Sequence, residues 1–295
     1  MPKIPSLAST LSEQERMAQR LQQREWAQAA SEQLSRLHGA SELRAAVLAL
    51  LIPTGSRRAL TVWQDETHAT SNAQTILTHV GHLPAQARLP WLETLVVRLR
   101  QQPLAARQST LEATRRVMGA RGAVRPLDRL HWLAMRQWLG GAPVPPARGS
   151  AASDLSRLPQ HDVSAIAQYT AFLSRMVPQD QALHALPADA QAQPPGLAWY
   201  DAAMALWKPN AKIPACEPPG IDALVHALHE LQALAWMHRP MVARGWVVAA
   251  LPLSRRHGLD DGAADALRLS CSLLDSPMPP ELARHFADPP PGTQA

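Results

Sequence analysis

Each half of this chain closes in the same way, with an apolar helical run ended by two prolines. The first ending reads WLAMRQWLGGAPVPP and the second ALRLSCSLLDSPMPP. Val144-Pro145-Pro146 and Met278-Pro279-Pro280 lie 278 − 144 = 134 residues apart. Proline has no N–H to give a helix, and its ring clashes with the preceding turn, so such a pair is a stop. A stop recurring at this interval in 295 residues points to two related helical units in tandem, each of ordinary domain size.

The stretches between the stops carry helical period. Ser12 with Glu15 has the spacing of a capping box. Trp26, Ala30, Leu34 and Leu37 then share a face, as do Leu43, Val47, Leu50 and Leu51. Arg57 to Ser71 is polar and reads as weaker structure. Leu89, Leu92, Val96 and Leu99 form the next stripe, ended by Pro103. Leu127, Leu130, Ala134 and Trp138 line one face of a helix whose other face carries Trp132, Met135 and Leu139. A helix apolar on two faces is expected at the centre of its unit, with Trp138 in the core. In the second half the stripes are Val163 to Val177, Leu224 to Ala235, Val247 with Val248 and Leu251, and Ala264 to Leu274. No segment alternates with β-branched residues as a strand would. The expected fold is therefore all-α: two tandem helical bundles joined by a Pro/Gly-rich linker. An N-terminal helical segment covers 1–40, the first unit 41–142, the linker 143–160, the second unit 161–284 and a disordered tail 285–295.

The net charge is +5 and the isoelectric point about 9.8, which raises the question of nucleic acid. Lys occurs only at Lys3, Lys208 and Lys212, so the basic residues are nearly all Arg, scattered among acids instead of forming a block. Nucleic-acid binding is not the expected role. Cys216 and Cys271 are far apart and outside any CxxC; Cys271 lies in an apolar stripe and reads as a small buried hydrophobe. The N-terminal residues lack a secretory apolar core, and the longest apolar runs are too short to span a bilayer. The expected compartment is the cytoplasm.

The motifs of common chemistries are incomplete. In HALHELQALAWMH, His229-Glu230 is followed by Ala233 where a zincin needs its second His. Asp222, His226 and Glu230 fall at i, i+4 and i+8 on one helix face and are weak candidates for a metal, which normally takes three or four ligands. GxGxxG, GxxxxGK[ST] and GxSxG are absent from the sequence. No catalytic residue and no cofactor is assigned.

The segment LVHALHELQALAWMHRPMVARGWVVAALPLSRRHGLDDGAADALRLSCSLLDSPMPPEL resembles the C-terminal TerB-like helical region of HtpX-type bacterial zinc metallopeptidases. The first half is similar, from AAVLALLIP through ARLPWLETLVVRLRQQPL to Trp138-Leu139. The Asp-Gly turn of that pattern is here Arg121-Gly122 and His257-Gly258, while its downstream acid is kept as Asp128 and Asp265. An Arg in place of an anionic donor repels a cation, so a metal role is not expected in the first half. In the second half Asp260, Asp261 and Asp265 leave it open. The protease domain itself is not in this sequence. The resemblance implies a non-catalytic interaction or regulatory module, accessory to a membrane metallopeptidase or another inner-membrane protein. The alternatives are a metal-dependent enzyme with an unrecognised site and an Arg-mediated nucleic-acid binder.

Overall fold

The computed structural model describes residues 13–53, 55–141, 145–147, 158–177, 196–207, 213–253 and 258–287. These residues form thirteen α-helices and no strand. The first half holds α1 (Glu13–Ser35), α2 (Ala40–Leu50), α3 (Arg57–Thr67), α4 (Ala73–His82), α5 (Ala85–Leu99), α6 (Leu104–Gly119) and α7 (Pro126–Leu139). The second holds α8 (Gln160–Leu173), α9 (Leu197–Ala205), α10 (Ile221–Gln232), α11 (His238–Ala250), α12 (Asp261–Leu273) and α13 (Pro280–Ala283).

The packing pattern recurs. In the first half α2 lies against α3 and α5, α3 against α6, and α6 against α7. In the second half α8 lies against α9 and α10, α9 against α11, and α11 against α12. The starts of α5, α6 and α7 precede those of α10, α11 and α12 by 221 − 85 = 136, 238 − 104 = 134 and 261 − 126 = 135 residues. The cores follow the same interval. Leu89, Leu92, Val96 and Leu99 are buried on α5, and so, 135 positions on (224 − 89), are Leu224, Ala227, Leu231 and Leu234 on and just after α10. Gly122, before α7, and Gly258, before α12, both take the left-handed backbone, at φ 90° and 80°. A residue with a Cβ is strained there, which accounts for glycine at both turns.

The central helices are α2, buried continuously from Ala45 to Leu50, and α8, buried over most of its length. The helix expected at a centre, α7, lies instead at the boundary. One of its faces meets α6 and the other meets α12 of the second half, so its two apolar faces serve two different units. Trp138 is accordingly half-buried and not a core residue. The polar stretch from Arg57 is a complete helix, α3, anchored by Trp63, whose buried indole donates to the carbonyl of Ala45 (3.0 Å). Val248 on α11 and Leu251 in the turn just after it, expected in the core, are exposed, while Val247 and Trp246 are buried. The tail expected from 285 begins packed: Phe286 is buried under the Arg268 guanidinium, 4.5 Å from its ring centre. Ser12 of the expected capping box lies outside the described residues, as do most of the linker 143–160 and the turn residue His257.

Long cationic side chains carry much of the helix capping. Arg88 donates to the carbonyls of Val80 and Leu50 near the ends of α4 and α2 (3.2 and 3.4 Å). Arg98 donates to Ser35 and Leu37 at the end of α1 (2.9 and 3.1 Å). Arg239 reaches Leu234 after α10 and Leu274 after α12 (3.1 and 3.5 Å). Helix C-termini leave several carbonyls without intrahelical partners, and a guanidinium can serve two at once, which an ammonium does less well. Part of the arginine excess is thus spent inside the fold.

Candidate functional site

The described residues bring most of their cross-unit polar contacts to one seam, where α5 and α7 of the first unit face α12 of the second. Gln232 donates to Gln137 and to the carbonyl of Leu273 (both 2.8 Å). Trp138 donates its indole N–H to the Ser272 hydroxyl (3.1 Å). Arg268 on α12 crosses to Glu93 on α5 with contacts of 2.6 and 3.0 Å. Gln86 donates to Asp261 (2.8 Å), which also lies 3.1 Å from His285. One apolar core cluster holds buried residues of both halves and runs through the seam without a break.

A groove of about 880 Å³ opens along this seam. Val97, Trp138 and Met278 supply its apolar wall, and the Glu93–Arg268 pair forms part of its polar one. Burial pushes the Glu93 carboxyl up, and the hydrogen bond and charge of Arg268 oppose this. Two further cations line the groove, Arg100 at the end of α5 and Arg107 on α6. Neither has an acidic partner within ion-pair distance among the described residues, and the Nε of Arg107 is buried without a hydrogen-bond partner. Asp275, in the left-handed region at φ 51°, is exposed at the rim.

A second, smaller cavity of about 180 Å³ lies on the other side of α5. It gathers Arg88, Asp128, His131 and Asp265 beneath the end of α2. Asp128 and Asp265, the acid of each half that the sequence pattern singles out, thus line one space. Asp128 accepts from the Arg125 backbone N–H (2.9 Å) and closes the start of α7. Burial pushes the His131 ring below the ordinary imidazole value, and the contact of its Nδ1 with the Leu127 carbonyl (3.1 Å) makes that nitrogen the donor. The Asp265 carboxyl is pushed up to about 7, first by burial and then by Asp261, with Arg268 offsetting only part.

Two of the acids considered for a cation, Asp260 and Asp261, have hydrogen-bond partners. Asp260 caps α12, accepting from Gly262 and Ala263 (3.3 and 3.2 Å). Asp261 is held by Gln86 and His285, and Asp265 faces the Arg88 side of the small cavity. Asp222 and His226 are exposed on α10 and do not converge with Glu230. Glu230 instead meets His161 and Asp162 at the start of α8, one ligand atom from each lying within 4.8 Å of the others. That grouping joins α8 to α10 and was not legible from i, i+4 spacing, which sees one helix at a time. Arg100 and Arg107 were missed as well, and the available signal was their position on either side of the Pro103 stop.

Comparison with protein-family models, with curated proteins and with solved structures gave no match.

Proposed function

We propose that this chain is a non-catalytic protein-interaction module whose docking surface is the groove at the seam. The observation that carries this is the groove itself, about 880 Å³, built by residues of both units and offering exposed apolar surface at Val97 beside Trp138 and Met278. Helix-lined grooves of this kind receive a partner's segment. The resemblance of both halves to the helical appendage of HtpX-type peptidases makes a membrane metallopeptidase the first partner to test, with the chain acting from the cytoplasm. No helix among the described residues is long and apolar enough to cross a membrane. A photo-crosslinking amino acid at position 97 should trap one polypeptide in native cells. The same group at Leu21, exposed on α1 outside the groove, should not. Equal trapping at both positions removes the seam as the docking surface.

A metal-dependent activity is the second reading, and the convergence of His161, Asp162 and Glu230 favours it. One imidazole and two carboxylates suit zinc with an open position. Protein loaded with zinc and then desalted should keep about one equivalent if this holds, and His161→Ala should lose it. Retention of none leaves the cluster as a polar contact between α8 and α10.

A further inference from the structure

We infer that the segment taken by the seam groove is acidic, with a carboxylate seated on Arg107. This rests on the docking function proposed above.

The starting point is a donor with nothing to bond. Among the described residues, Arg44 Nε, Arg107 Nε and Glu281 Oε2 are buried atoms of arginines and acids that have no hydrogen-bond partner. Arg44 is nonetheless paired with Glu66, and Glu281 with Arg244. Arg107 alone of these has no ion pair, and it lines the groove. A buried, unmet donor on a cation costs more than an unmet neutral group, so folding gives no reason to keep it. The two terminal Nη atoms of Arg107 are outside this buried set, and a carboxylate entering the groove can meet the guanidinium there. Stability held back at a binding site and recovered by the ligand is a common arrangement.

Charge selects the occupant. Arg268 is neutralised by Glu93, and Asp275 sits at the exposed rim. Arg100 and Arg107 remain as cations flanking the α5–α6 corner, above the apolar wall of Val97, Trp138 and Met278. A carboxylate on Arg107 can make two parallel N–H···O bonds, and a second acid can pair with Arg100. An isolated phosphate would leave the apolar wall bare. The groove also lacks a cradle of free amides, since the N–H groups of Asp275 and Ser276 are committed to Ser272 and Cys271 (3.1 and 3.0 Å). A peptide carrying acids beside apolar residues satisfies both walls.

The test uses the full chain and a displayed library of random short peptides. Groove-dependent clones are those lost on Val97→Trp, a change at an exposed position that fills the groove. These clones should be rich in Asp and Glu. A synthetic peptide from them should bind roughly tenfold more weakly to Arg107→Met and again to Arg100→Met, and its Asn/Gln counterpart should bind wild type as weakly, by loss of charge-assisted hydrogen bonds. Arg107→Met should melt at or above the wild-type temperature, since it removes an unmet donor and keeps the aliphatic stem; a clear fall would show that Arg107 serves the fold and overturn the inference. Groove-dependent clones without acids, or binding unchanged by Arg107→Met, also overturn it while leaving the docking function intact. A library yielding no groove-dependent clone overturns the docking function itself.

Discussion

The indole of Trp138 donates to the hydroxyl of Ser272 at 3.1 Å, and these residues are 134 positions apart, the interval that separates the two Pro-Pro stops. Corresponding places near the ends of α7 and α12 therefore touch one another. The interval that separates the two stops in the sequence thus also separates two residues that meet where α7 packs on α12.

Trp138→Ala should be milder than a core truncation. A fully buried Trp cut to Ala costs roughly 3–5 kcal/mol. Trp138 is half-buried on the groove wall, so a loss of roughly 1–3 kcal/mol is expected, with Ser272→Ala costing about 1 kcal/mol for its share of the hydrogen bond. Urea titrations of the two variants check this. A loss near 5 kcal/mol for Trp138→Ala would mean that the joint is packed far more tightly than its exposure implies.

The Glu93–Arg268 pair should show the asymmetry of shielded ion pairs. Their side chains keep only 23% and 14% exposure, so removing Glu93 strands a cation between α5 and α12. Glu93→Ala should cost roughly 2–4 kcal/mol, while Glu93→Leu combined with Arg268→Met should recover most of that loss. A double variant no better than the single one would count against this account of the joint.

Fold class and helix punctuation were legible in the sequence because they depend on local rules. The period of Leu89, Leu92, Val96 and Leu99 needs no knowledge of partners, and neither does a Pro-Pro stop. The role of α7 was not legible. Two apolar faces distinguish a buried helix from an exposed one but do not say whether one unit or two cover it. The candidate site depends on tertiary juxtaposition throughout. Arg107 shows no anomaly until its surroundings leave its Nε without a partner, and His161 and Asp162 join Glu230 only because α8 packs on α10.

Two helical glycines should respond oppositely to alanine. Gly81, in α4, has open space where a Cβ would stand. Gly81→Ala should stabilise by roughly 0.5–1 kcal/mol through reduced freedom of the unfolded chain. Gly245, in α11, lies against the Trp207 ring, and a Cβ would come within 2.8 Å of it. Gly245→Ala should therefore destabilise, by roughly 1–3 kcal/mol, as the ring is pushed from a filled core. Thermal melts of the pair give the signs, and like signs would contradict the α11–Trp207 packing.

The small cavity beneath α2 should make stability depend on pH in a way that Asp265 dominates. Its carboxyl has an ordinary value near 3.8 in the unfolded chain and about 7 in the folded one, raised first by burial and then by Asp261. Between those values the folded chain holds a proton that the unfolded chain has released. The contribution of Asp265 is therefore greatest at low pH, is lost as pH rises from about 4 to about 7, and is flat above that. Glu93, raised by burial, acts in the same direction. His131, lowered by burial, acts the other way, since the unfolded chain gains a proton that the buried ring resists as pH falls through its ordinary value of 6.5. Asp265→Asn isolates the Asp265 contribution because the amide cannot titrate. Relative to wild type the variant should gain roughly 1–3 kcal/mol between about pH 5 and pH 8. That range follows from about 1.4 kcal/mol for each pH unit over which the two chains differ by one proton, with allowance for partial exposure. Denaturant unfolding of both proteins at several pH values measures this difference. Parallel profiles would show that Asp265 is ionised throughout, held by Arg88 across the cavity, and that the acid of the second unit is a structural partner of that arginine and not a proton-binding group.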